Sequence, residues 1–161
     1  IYGMLIALAL VLSYLETLIP AFWPVPGMKL GLTNIVVLFA LYCMGTKSAI
    51  GINLVRVLLV AVLFGNGLSI VYSLAGALLS GAVMICLKQL GKFHMVTVSV
   101  AGGIAHNVGQ ILAAYVFLRS QALWGYLVIL WFAGLVSGAV IGMIGGVVCG
   151  RLKRYVGVTE T

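Results

Sequence analysis

The sequence predicts an all-α integral membrane protein, a compact bundle of six transmembrane helices, and three observations carry that expectation. Hydrophobic residues make up 64% of the 161 positions and charged ones 7%, with a mean hydropathy of +1.29, a composition suited to hydrocarbon. The apolar runs are long enough for crossings of roughly 20 residues, and six of them with short loops use up the chain. The basic residues sit at the ends of those runs, as headgroup contacts and topology signals do. The net charge of +7 therefore gives no reason to expect a nucleic-acid partner.

Taken in order, the first segment spans 1–19 and is apolar except for Ser13, Glu16 and Thr17. The chain opens inside it, so an initiating methionine and a short leader are expected upstream. All three prolines follow closely. Pro20, Pro24 and Pro26 lack an amide donor and bias the residue before each away from the α region, which predicts an ordered, non-helical connection over 19–27. The second segment, 31–44, is short. The third, 48–64, follows a turn at 45–47, and the fourth, 69–87, follows Gly65–Asn66–Gly67–Leu68, a strong turn signal. The fifth spans 96–118 and the sixth 123–149, leaving a short basic tail at 150–161. One domain covers 1–161. With the N-terminus inside, Lys47, Lys88, Lys92, Arg151, Lys153 and Arg154 face the cytoplasm and only Lys29 and Arg119 face out, so both termini are expected to be cytoplasmic.

Small residues recur at helix-packing spacing: Gly3 with Ala7, Gly76 with Ser80, and Gly134, Gly138 and Gly142 in series. Such rows let helix backbones approach closely where lipid supplies no hydrophobic drive. The last two rows read as internal packing. Gly3 and Ala7, at the cytoplasmic end of the first segment, are the candidates for docking another membrane subunit. Cys43, Cys86 and Cys149 are isolated and read as small core hydrophobes. No metal site or cofactor is expected. Trp124, Tyr126 and Trp131 read as membrane-interface anchors.

Ionisable and amide side chains at membrane depth are functional candidates by default. Glu16 is one of two acids in the chain. Arg56 falls midway along the third segment, and its fork of donors suits a carboxylate or phosphate. On the fifth segment His106, Asn107 and Gln110 share a face by their spacing of three and four, a stripe that must meet protein, water or ligand. These residues, with Lys29 and Asn34 at the start of the second segment, are expected to converge on a substrate pocket opening outward. The loop carrying Phe22, Trp23, Pro26 and Gly27 would form its lid. The competing reading is structural: Glu16 neutralises Arg56 or Lys29, and His106, Asn107 and Gln110 join helices by hydrogen bonds.

At these residues the sequence resembles the Gx transporter family, historically called heptaprenyl diphosphate synthase component I. The matching segments are Leu15–Pro20 (LETLIP), Pro26–Leu41 (PGMKLGLTNIVVLFAL), Arg56 with Leu58–Gly65, Ser73–Met84 and Ser99–Ala114 (SVAGGIAHNVGQILAA). That family is similar to the substrate-binding S components of energy-coupling factor transporters, six-helix bundles of bacterial membranes with an outward pocket capped by the first loop. The resemblance implies an S-component-like fold, uptake of a small vitamin-, cofactor-precursor- or isoprenoid-like molecule, and a transmembrane coupling subunit with ATPases as partners. It also implies that Gly3 and Ala7 dock that subunit. The older name implies the alternative, a membrane subunit of polyprenyl diphosphate synthesis. Catalysis of prenyl transfer needs magnesium held by clustered aspartates, and this chain has no Asp and two Glu. ATP hydrolysis needs a GxxxxGK[ST] loop, which is absent.

Overall fold

A computed structural model of the protein describes residues 1–18, 31–64, 67–121 and 123–156. Six helices alternate in direction: α1 (Tyr2–Leu18), α2 (Asn34–Cys43), α3 (Thr46–Phe64), α4 (Gly67–Gln89), α5 (Met95–Leu118) and α6 (Leu123–Val156). The described residues contain no strand. The ends of α1, α3 and α5 that begin each helix lie with the far ends of α2, α4 and α6, beside Lys47, Lys88, Lys92 and Arg151, and this is the basic end of the bundle.

Four helices, α3 to α6, are long and apolar enough to cross a membrane. The chain is a membrane protein whose outward faces, Leu58, Val62, Val116, Phe132 and Val136 among them, are apolar and exposed. Helix α2 departs from this length. Its 10 residues rise about 15 Å, half of a hydrocarbon core of about 30 Å. The segment starts three residues later than predicted because Gly31, at φ +81°, is outside helical geometry and Gly31 to Thr33 form a turn that leads into the helix, with Asn34 N–H donating to Gly31 O. Helix α6 runs seven residues past the predicted Cys149, with no glycine or proline strong enough to stop it before Val156.

Helix α5 is central, packed along α4 on one side and α6 on the other. The glycines of α6 explain the closeness. A Cβ at Gly138 would lie 2.7 Å from Val100 Cα, and one at Gly142 would lie 2.7 Å from Val96 Cα, so each glycine receives backbone. By contrast, a Cβ at Gly3 would meet nothing within 4 Å, and Gly3 and Ala7 lie on an exposed face of α1. Helix α1 rests on α3 and, more lightly, on α2.

Two apolar clusters fill the interior. One joins Leu5, Val37, Leu38, Leu41, Ile52, Met84, Val98 and Ile141 in the basic half. The other joins Tyr72, Ile111, Ala114, Leu123 and Leu130 near the opposite end. A layer of buried polar side chains separates them.

At the basic end two links secure α2. Lys88 Nζ donates to Leu41 O and sits 5.2 Å above the Tyr42 ring, so a cation meets the carbonyl-rich end of a helix. Lys88→Met is expected to lower stability by about 1–2 kcal/mol, read as a lower midpoint in thermal unfolding of the detergent-solubilised protein. The second link corrects the sequence reading of the cysteines: Cys43 and Cys149 are joined as a disulfide across 106 residues, with Cα atoms 6.4 Å apart. Cys86 is unbridged and exposed on α4. Spacing along the chain gave no sign of that pairing, because only the packing of α6 alongside α2, both running toward the basic end, brings the two together.

Candidate functional site

The polar layer gathers at the N-terminal turn of α2. The first N–H groups of α2, at Asn34, Ile35 and Val36, donate to Gly31, Leu32 and Thr33 O, and since α2 begins about 15 Å from the basic end, the amides left over are those of the preceding turn, at mid-depth. Glu16, two residues before the end of α1, answers them: its Oε1 accepts from Leu32 N–H at 2.5 Å. An acid beside a helix N-terminus is favoured by the helix dipole and here by the Leu32 amide it accepts from.

Arg56 reaches the same turn from α3. Its Nη1 donates to Thr33 Oγ1, and its Nη2 donates to Asn53 Oδ1 at 2.7 Å, one helical turn back. Asn53 is held in turn, its Nδ2 donating to Ala77 O of α4 at 3.2 Å. Arg56 is 5% exposed and Glu16 7%. The guanidinium and the carboxylate lie close enough to interact electrostatically, which offsets the cost of burying each.

His106 enters from α5 between two glycines. A Cβ at Gly76 of α4 would lie 3.0 Å from His106 Nδ1, and one at Gly31 would lie 3.2 Å from His106 Cδ2. The imidazole therefore fills a slot that any larger residue on either side would close. A void of about 10 Å³ lies where these groups meet, with Ser13, Glu16, Thr33, Arg56, Ser73 and His106 among the residues that line it. That volume is about one water molecule. Around it, Arg56 Nε and Asn34 Nδ2 have no acceptor among the described residues. The cluster is rich in donors and holds one carboxylate, an arrangement suited to an oxygen-bearing anion. Among the described residues no three side chains of metal-ligating type come together.

Glu16, Arg56 and His106 thus share one cavity wall; Asn34 is not part of it, its Nδ2 lying against Gly31 beside His106. The other stripe residues of α5 go elsewhere. Asn107 turns to α6, donating from Nδ2 to Leu130 O at 2.6 Å, the interhelical bond that was the competing reading for it. Gln110 is fully buried and is not in that wall. Lys29 and the lid residues Phe22, Trp23, Pro26 and Gly27 lie outside the described residues. The sequence reading passed over Thr33 and Ser13. Thr33 immediately precedes Asn34 in the turn, and Ser13 stands one turn before Glu16 on the same face of α1, a spacing that signals shared orientation.

Asn107→Leu is expected to cost about 0.6–2 kcal/mol of stability through the lost α5–α6 bond. The loss is read as a lower midpoint in thermal unfolding of the detergent-solubilised protein.

Larger apolar recesses lie beside this cluster. One of about 250 Å³ runs between α3 and α4, lined by residues including Ala49, Leu54, Leu78, Gly81 and Ile85, with Asn53 forming the wall it shares with the Arg56 network. Another, of about 340 Å³, lies between the start of α1, α2 and α6.

No curated protein and no solved structure matches the chain. One family model does, over residues 5–148, a span that reaches into all six helices and contains every residue of the cavity wall. The chain belongs to the family described as heptaprenyl diphosphate synthase component I.

Proposed function

We propose that the protein is the substrate-binding membrane subunit of an uptake system for a small anionic molecule, with Arg56 as its charge-recognising residue. The observation that carries this reading is the meeting of Arg56, Glu16, His106 and the N-terminus of a half-length helix inside an apolar bundle. Burying these groups is costly, and membrane proteins place such groups where a solute must be recognised. Interrupted helices whose N-termini face a mid-depth site are a recurrent way of binding anionic substrates in transporters. Residues Lys29, Asn34 and His106 would complete the site, and the 20–29 segment would cover it. Asn107 and Gln110 would support it from α5. The substrate class is that of vitamin-like, cofactor-precursor or isoprenoid compounds carrying a carboxylate or phosphate. A transmembrane coupling subunit with ATPases would supply the energy, docking at the exposed Gly3 and Ala7 face of α1. Both termini would face the cytoplasm of a bacterial cell, by the distribution of basic residues.

The family's description favours a second reading, a membrane component that works with a separate catalytic synthase of polyprenyl diphosphates. The chain is not itself the catalyst, having no Asp and two Glu. One comparison separates the two. Purified protein screened by thermal shift against organic carboxylates, phosphates and isoprenoid diphosphates is expected to be stabilised by a water-soluble anion, with the shift lost in Arg56→Ala and His106→Ala. Absence of any such shift, together with copurification of a soluble synthase whose activity depends on this chain, would establish the second reading instead.

A further inference from the structure

We infer that the Glu16 carboxylate is a stand-in for the ligand's anionic group: it occupies the donor cradle of the empty protein and leaves when a carboxylate or phosphate binds. This rests on the anion-binding reading of the Arg56 site and specifies how that site is occupied and emptied.

Space comes first. The void among Ser13, Glu16, Thr33, Arg56, Ser73 and His106 is about 10 Å³, room for one water and none for a carboxylate or phosphate group. One wall residue must yield before a ligand can enter. Arg56 is held by Thr33 and by Asn53, which is itself tied to α4. His106 is wedged between Gly31 and Gly76. Glu16 is carried near the end of α1, a helix that touches only α2 and α3 among the described helices. Among Arg56, His106 and Glu16, it is the one whose helix has the fewest helix neighbours.

The donors point the same way. Glu16 already accepts from Leu32 N–H, the kind of backbone donor that binds anions at helix N-termini. Two further donors, Arg56 Nε and Asn34 Nδ2, are left without an acceptor among the described residues. Buried donors are nearly always paired, so this cradle offers more donors than its resident carboxylate uses. A ligand bearing two or three oxygens on one centre would supply the missing acceptors.

Charge decides the exchange. An anion added beside Glu16 would meet a like charge in a buried site and be repelled. An anion that replaces Glu16 keeps the balance beside Arg56 unchanged. The site therefore selects anions by substitution, and the affinity observed is the difference between ligand and resident carboxylate. Removing the resident charge should tighten binding.

The test uses the full chain in zwitterionic phosphatidylcholine nanodiscs, so that no anionic headgroup competes, titrated calorimetrically with acetate, inorganic phosphate and pyrophosphate. Glu16→Gln is expected to bind at least one of these probes about tenfold more tightly than the wild type, and the Glu16→Gln, Arg56→Gln double variant is expected to bind none. A second measurement needs no substitution. The chain has two acidic side chains, Glu16 and Glu160, so labelling glutamate at its carboxylate carbon with ¹³C gives two side-chain resonances. The Glu16 signal should move on saturation of the wild type with the probe that binds. If the wild type binds a probe and Arg56→Gln abolishes that binding, while Glu16→Gln is no tighter and the Glu16 resonance stays fixed, the stand-in role is overturned and the anion site remains. If neither wild type nor Glu16→Gln binds any probe at millimolar concentration, both are overturned.

Discussion

Arg56→Met is expected to destabilise the protein by about 3–5 kcal/mol and to abolish anion binding, the larger of the two effects expected at the polar layer. The substitution removes the donor to Thr33 Oγ1 and the donor to Asn53 Oδ1. It also leaves the Glu16 carboxylate buried beside an apolar side chain, with the positive charge it interacts with gone. Most of the cost comes from that stranded charge rather than from the lost hydrogen bonds. The Glu16→Gln, Arg56→Met pair should therefore cost about 1–3 kcal/mol less than the sum of the two single variants. Unfolding of wild type, both singles and the double, followed by circular dichroism in detergent, measures that coupling. Strict additivity would show that the two side chains do not sense each other, and the site described above would lose its electrostatic basis.

Gly103→Leu is expected to yield no folded protein. A Cβ at Gly103 would lie 2.5 Å from Gly134 O and 3.4 Å from Gly138 Cα, and backbone atoms cannot swing aside as a side-chain tip can. The smaller Gly103→Ala should cost roughly 3 kcal/mol, since α5 and α6 must separate along their length to admit one methyl group. Gly146→Ala, on the same helix as Gly134 but with nothing within 4 Å of the added Cβ, is the control. It is expected to be neutral or stabilising by about 0.5–1 kcal/mol, because alanine loses less backbone freedom on folding than glycine. Equal behaviour of the two alanine variants would mean that α5 and α6 do not meet at their glycines.

Much of this fold is legible in the chain because hydrocarbon imposes so few solutions. Helix number and order follow from apolar length, and the predicted boundaries of α3 and α5 lie within two residues of those observed. The rarity of polar side chains makes Glu16, Arg56 and His106 conspicuous without any structure. Other features are not readable in this way. The His106 and Asn107 side chains are adjacent in sequence, yet about 100° apart around the helix. One faces the cavity shared with Arg56 and the other the backbone of α6. A stripe drawn from spacing alone cannot say which neighbour each edge of it will meet. The disulfide between Cys43 and Cys149 is similarly invisible, since 106 residues separate its partners.

Composition and periodicity alone determined that this chain is a six-helix membrane bundle and that a handful of charged and amide groups must be sheltered inside it, because lipid cannot hydrate them. Tertiary structure decided which of those groups meet. The late start of α2 brings the turn before it, with the Leu32 amide, to mid-depth, glycine contacts set how closely α4, α5 and α6 approach, and the space left among Glu16, Arg56 and His106 admits about one water. These outcomes depend on contacts between residues distant in sequence, and local preference carries no information about the partner a side chain will face.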